Sequence, residues 1–278
     1  MTAEIFDWID PYPAGALPRL RQVLDAPSAE GRWYALVDMG FSPSLRDALA
    51  ALNPNGTVVA LYEGVYDGEG LVEISPCLMP LPDDAQPREE VCAGLLRETD
   101  GRPMLSLLRA AHGVDALAAH LRGQMEARAE DDEAFLVRLA DTRCVPAWAG
   151  VLTQAQRNRF FAGIDAWWLF DRAASLVELD VAPVGGEIAS DGGDVEPYRL
   201  DADQIAALRQ ASKIDTLIFH VRQRPESFGR LTATPSQAHA CVSEAWAKEG
   251  VPPSAGARAA LDALEAAGWL VPPVEASA

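Results

Sequence analysis

The sequence predicts an α/β N-terminal lobe, a mixed sheet with flanking helices, followed by a small all-α C-terminal lobe. Three observations carry this. Before residue 182, short runs of alternating or continuous apolar residues are interleaved with segments of helical period. Beyond residue 198 the periodicity is purely helical. Between them lies VGGEIASDGGDVEP, a Gly-rich acidic stretch with the composition of a domain boundary. The expected division is therefore 1–182, a linker at 183–197, and 198–278.

Taken in order, RWYALVDMG from Arg32 is β-rich and stops at Gly40. SPSLRDALAAL follows, with Ser42 as N-cap, Pro43 at N1, and Leu45, Ala48, Leu49 and Leu52 on one helical face. After the turn at Asn53-Pro54-Asn55-Gly56, TVVALYEG reads as a second strand. GLVEISPCLMPL reads as a third, which Pro76 and Pro80 would confine to an edge or an irregular position. A helix is expected from Pro87 to about Thr99 and a strand from Pro103 to Ala110. Val114, Leu117, Leu121 and Met125 then mark a helix ending near EDDE. AFLVRLAD alternates like a strand, and Thr142 opens a short helix carrying Trp148 and Leu152. Thr153 with Gln156 forms a capping box, because each side chain can satisfy the other residue's free N–H. WWLFDR and SLVELDVA close the lobe as two strands. In the tail, Ile205 and Leu208 start one helix and Ile214, Leu217, Ile218 and Val221 mark another. Thr234-Pro235-Ser236-Gln237 caps a third, and Ser254 begins a last helix that Gly268 stops.

The 278 residues include 23 Lys and Arg against 41 Asp and Glu, a formal charge of −18, while 49% are apolar. That apolar share supports a real core. The charge repels phosphate backbones and anionic headgroups, so nucleic acid and membrane surfaces are poor partners and a protein surface is the better one. MTAEIFDWIDPYP carries acid where a secretory signal carries positive charge, and charged residues interrupt every apolar run; a soluble cytoplasmic protein is expected. Cys77, Cys92, Cys144 and Cys241 are scattered, with no CxxC pair or His at ligand spacing, so buried reduced thiols are expected and no metal or cofactor.

The sequence holds no GxSxG elbow, GxxxxGK[ST] loop, HExxH or strand-to-helix GxGxxG. His120 could act as a general base, but no nucleophile pattern accompanies it, which favours a boundary histidine hydrogen-bonded at a helix surface. Arg138, Asp141 and Arg143 bring two guanidinium groups near one carboxylate, which serves either as an ion-paired strand end or as a bidentate contact to a partner's carboxylate. Phe160, Phe161, Trp167, Trp168 and Phe170 form a dense aromatic cluster. Adjacent Trp167 and Trp168 on a strand point to opposite faces, so one of them can lie outside the main core, at a seam or a partner groove.

The middle of the chain, DALAAHLRGQM, AFLVRLADTRCVPAW and LTQAQRNRFFAGIDAWW, resembles the type VI secretion effector chaperones, or adaptors (the domain-of-unknown-function 4123 family). The matching positions are Tyr34 to Asp38, His120 to Arg122, Arg138 with Asp141 and Arg143, and Gln156 with Phe160, Phe161, Gly163 and Trp167. The likeness runs roughly from Arg32 to Arg172, departing where Thr142 replaces a common Pro and where no Pro follows Gly163. It implies a non-catalytic cytosolic protein, without cofactor, that binds a toxic effector near the effector's N-terminus and helps load it onto the VgrG spike. Arg122, Arg138, Asp141, Arg143, Trp167 and Trp168 are the candidate partner-binding residues. The competing expectations are a hydrolase using His120 with a carboxylate such as Asp141, and a DNA-binding regulator using Arg222, Arg224 and Arg230, against which the net charge weighs.

Overall fold

The structure is a computed structural model that describes residues 7–26, 31–42, 45–54, 57–181, 195–248 and 253–271. The elements run α1 (Ala16–Leu24), β1 (Arg32–Asp38), α2 (Leu45–Leu52), β2 (Val59–Ala60), β3 (Pro76–Pro80), α3 (Ala85–Thr99), β4 (Leu105–Ala110), α4 (Val114–Arg122), β5 (Glu126–Arg128) and β6 (Ala134–Leu136). They continue as α5 (Val145–Val151), α6 (Gln154–Phe160), β7 (Ala166–Phe170), β8 (Leu176–Glu178), β9 (Tyr198–Arg199), α7 (Ala202–Gln223), α8 (Pro225–Phe228), β10 (Arg230–Leu231), α9 (Pro235–Ala247), α10 (Gly256–Ala266) and β11 (Leu270–Val271). The fold is mixed α/β with a helical C-terminal region, as the sequence predicts.

The chain forms two compact units, residues 1–205 and 206–278. The passage from one to the other falls inside α7, after Ile205, beyond the 183–197 stretch expected as the linker. Tyr198 and Leu200 belong to the first unit: β9 pairs in parallel with β5, and the Leu200 N–H donates to the Arg128 carbonyl at 2.9 Å. Residues 182–194 lie outside the described residues.

In the first unit every ladder of the six-stranded sheet, ordered β2-β3-β1-β4-β7-β8, is antiparallel. Alternation along the strands sorts the side chains onto two faces. Ala35 and Val37 of β1, Leu105 and Leu107 of β4 and Phe170 of β7 share one face. They pack with Leu20 of α1, Leu45 and Leu49 of α2, and Val91 and Leu95 of α3. Tyr34, Leu108 and Trp167, aligned across β1, β4 and β7, occupy the other face and are fully buried. A second sheet, β6-β5-β9, completes the unit.

Several expectations change here: the helix expected to end near EDDE stops at Arg122, and the strand expected over TVVALYEG is limited to Val59–Ala60. β3 is an interior strand, between β2 and β1, although Pro76 and Pro80 suggested an edge. The two prolines stand at its ends, outside the pairing of Val59 with Leu78 and Ala60 with Cys77, so their missing N–H groups break no ladder bond there. The strand expected over GLVEIS is a series of turns, with Glu73 N–H donating to Gly70 and Gly70 itself at φ +79°. The strand expected over AFLVRLAD stops at Leu136, because Arg138 and Asp141 close a turn on themselves, Asp141 N–H donating to the Arg138 carbonyl at 3.3 Å.

In the second unit the two tail helices expected at Ile205 and Ile214 are the single helix α7, since neither Gly nor Pro interrupts 202–223 and Pro225 follows directly. Ile214, Leu217 and Ile218 pack with Ala238, Val242, Ala260 and Leu264 of α9 and α10. The capping boxes at Thr153–Gln156 and Thr234–Gln237 both form, each hydroxyl accepting from the N3 amide while the glutamine accepts from the N-cap amide.

Candidate functional site

At the C-terminal end of β1, Asp38 meets the turn after β6. Asp141, fully buried, accepts from the Arg143 backbone N–H at 3.0 Å, from Arg143 Nε at 3.1 Å and from Arg143 Nη2 at 2.8 Å. Arg138 bridges Asp38 at 3.0 Å and Asp141 at 3.2 Å. The Arg143 guanidinium lies 4.9 Å from the Trp8 ring and 5.3 Å from Phe41, and Arg138 lies 5.1 Å from Phe41. Burial alone would raise the Asp141 pKa, but the Arg143 hydrogen bonds and the charges of Arg143 and Arg138 outweigh it and hold the carboxyl below the usual aspartate range. Asp38 moves up instead: its burial outweighs Arg138 and the Gly40 N–H, and the Asp141 charge adds to the rise. The sequence expectation of two guanidinium groups around one carboxylate holds in geometry. Arg143 is only 8% exposed and its fork is filled, so of the three residues Arg138, at 44%, has donor surface left for a partner.

Arg122 is committed to the backbone as well. Its Nε donates to the Leu61 carbonyl and its Nη2 to Ala60, both at 3.0 Å, which ties the end of α4 to β2. Trp167 is in the core, stacked on Phe160 at 5.7 Å and edge-on to Phe161 at 6.2 Å, and in this position it offers no surface to a partner. His120 is buried on α4 with Nε2 3.0 Å from the Phe160 carbonyl, so Nε2 carries the proton and donates it. Burial pushes the His120 pKa down, against the Phe160 hydrogen bond. Burial likewise lifts Cys77 to about 11, and Cys92 and Cys144 to about 12, which leaves these thiols protonated and unreactive at neutral pH.

Trp168, the neighbour on the other side of the pleat, is half-buried and stands at an open groove of about 630 Å³ on the face that α1 partly covers. The register explains the cluster. Trp33, Arg109 and Ala166 align across β1, β4 and β7, and Trp168 lies beside Glu178 one pair further along. Arg19 of α1 forms the opposite wall, its guanidinium 5.9 Å from the Trp168 ring, while Arg109 sits 5.6 Å from the Trp33 ring. Arg109 Nε is buried with no hydrogen-bond partner among the described residues. A buried Nε donor on Arg109 beside the Trp33 ring, with Trp168 in the same groove, suits a segment that presents a carbonyl or carboxylate together with an apolar side chain.

Of the residues singled out from sequence, the structure thus brings Arg138, Asp141 and Arg143 together, puts Trp168 in the groove, and leaves Arg122 and Trp167 elsewhere. Trp33, Arg109 and Arg19 escaped sequence reasoning. The available signal was Arg109 itself, an arginine in phase with Leu105 and Leu107 on the apolar face of LSLLRAA.

Among the described residues no group of three His, Cys, Asp or Glu could hold a metal ion, and no helix is long and apolar enough to cross a membrane. No curated protein and no solved structure matches the chain. Residues 33–159, from Trp33 through the Arg138–Asp141–Arg143 turn to the last turn of α6, match the model of the family described as Domain of unknown function (DUF4123).

Proposed function

We propose that this protein is a non-catalytic cytoplasmic chaperone, or adaptor, that binds a type VI secretion effector and assists its loading onto the VgrG spike. The observation that carries the reading is the family match, which falls within the stretch that resembles effector chaperones. The ordered motifs that resemble effector chaperones run from Arg32 to Arg172, and the family match covers 33–159. The chemistry of the site supports it. Most of the polar residues that a catalytic reading would recruit are occupied structurally, His120 by a main-chain carbonyl and Asp141 by two arginines. The Trp33–Arg109–Trp168 groove offers aromatic anchors and an arginine donor to a peptide segment, and its lining holds no Ser, Thr, Cys, His or Lys among the described residues.

The test is co-expression with a candidate toxin drawn from the genes that flank this one. A complex that survives size-exclusion chromatography, and secretion of the toxin that depends on this protein, are the expected results. A toxin that is soluble, unbound and secreted normally without it overturns the reading.

A further inference from the structure

The excess negative charge is not shared between the two units. Residues 1–205 carry 16 Arg and no Lys against 34 Asp and Glu, whereas residues 206–278 carry seven Lys and Arg against seven Asp and Glu. The whole of the −18 therefore belongs to the first unit, and the second is formally neutral.

Within that neutral unit lies a second groove, of about 500 Å³. One wall is a ridge of α7, on which Arg209, Lys213, Thr216 and His220 follow at spacings of 4, 3 and 4 and so share a face for roughly 16 Å. Phe228 of α8 and Trp246 of α9 also line it. No lining side chain among the described residues is acidic. Arg209 and Lys213 are exposed, and Lys213 makes no ion pair among the described residues. Two cationic side chains and an imidazole over a length of three helical turns, with two half-buried aromatic rings beside them, form a surface with a definite complement.

We infer that this groove docks an acidic amphipathic helix of a partner protein, with the partner's carboxylates on Arg209 and Lys213 and an apolar side chain against Phe228 and Trp246. Charge complementarity selects the occupant. Such a segment would be repelled by the first unit at −18 and can settle only where the field is neutral or locally positive. The aromatic rings ask for an apolar seam that a purely charged tail lacks. The inference goes beyond the chaperone reading and does not require it.

Fluorescence anisotropy on the full chain tests it with two labelled 14-residue helical peptides, one carrying Glu on both flanks of a Leu seam and the other with every Glu replaced by Gln. The Glu peptide is expected to bind at least tenfold more tightly than the Gln peptide. Arg209→Glu and Lys213→Glu should each lower that affinity about tenfold with unchanged circular dichroism, and Lys213→Arg should retain it. No binding of the Glu peptide, equal binding of the Gln peptide, full binding by both charge-reversed variants, or tighter binding of a single-stranded oligonucleotide would overturn the inference. Co-purification of the candidate toxin with Lys213→Glu reads out the chaperone proposal separately, so the two can fail independently.

Discussion

Replacing Asp141 by Ala removes the one carboxylate that three groups of Arg143 and one of Arg138 converge upon, at 2.8 to 3.2 Å. The magnitude follows from what is left behind. Arg143 is 8% exposed and would lose the carboxylate that its backbone N–H, Nε and Nη2 share, and breaking a buried pair in this way costs about 3–5 kcal/mol. Arg138 is 44% exposed and retains Asp38, so water and that second carboxylate screen its share. The Trp8 and Phe41 rings hold the Arg143 cation in wild type and variant alike, so these contacts leave the difference unchanged. A net loss of about 3 kcal/mol lowers the melting temperature of the first unit by roughly 6–12 °C. Asp141→Asn keeps the shape and one acceptor oxygen and should fall between. The pH dependence has a definite sign. The folded pKa of Asp141 is depressed, so its contribution is complete above the unfolded value of about 3.9 and disappears only as pH falls through the folded value. Thermal melts of wild type and variant should therefore differ by a constant amount from pH 8 to about pH 5 and converge only at lower pH. A difference under 2 °C at pH 7, or convergence already at pH 6, would refute the assignment of this carboxylate as the anchor of the turn.

The paired tryptophans should separate stability from binding. Trp167→Ala, in the stacked core, is expected to cost about 3–5 kcal/mol by chemical denaturation, whereas Trp168→Ala should change stability far less and weaken toxin co-purification; the reverse pattern contradicts the groove. His120 has a folded pKa below its usual value, so its neutral form is the stable one and the fold weakens as pH falls from the unfolded value of about 6.5 toward the folded one. His120→Gln, which keeps a donor for the Phe160 carbonyl, should flatten that decline between pH 7 and pH 5 in melting curves, and an unchanged slope would remove His120 as its source. The complex with the toxin should weaken at least tenfold between 50 and 500 mM NaCl if the acidic first unit faces a basic segment; salt-insensitive binding would transfer the affinity to the apolar walls of the Trp33–Trp168 groove.

What was legible in the sequence was whatever a few neighbouring residues decide. β1 and β4 follow from alternation, and the capping boxes at Thr153 and Thr234 follow from two side chains three positions apart. Elements fixed by distant partners were not legible. β9 is two residues long and pairs with β5 from about 70 residues away, and α1 partly covers a sheet face that no local pattern reveals. The candidate sites divide the same way. Arg138, Asp141 and Arg143 lie within six residues, and their mutual pairing could be read from spacing. The groove needs the register of β1, β4 and β7 together with α1 before Trp33, Arg109, Trp168 and Arg19 become neighbours. Sequence reasoning found Trp168 through the pleat rule, which says that adjacent tryptophans face opposite ways, and could not say what Trp168 would meet.

The division of charge bears on how one chain could hold two partners. A loader must keep effector and spike on different surfaces, and opposed charge is one way for each surface to reject what the other attracts. The first unit, at −18, presents a field that favours basic segments, and its groove sets Arg109 and Arg19 against Asp25 and Glu178, so occupancy there is decided by indole contacts and individual hydrogen bonds more than by net charge. The second unit has no net charge, and its groove concentrates Arg209, Lys213 and His220 on one ridge without an acidic neighbour in its lining. Charge therefore favours an acidic segment at the second groove, whereas at the first the two arginines and the carboxylates of Asp25 and Glu178 leave recognition to individual contacts. Under the proposed loading role this difference would help keep two partners apart, and it arises from where 34 carboxylates were placed in the chain as much as from the shape of either groove.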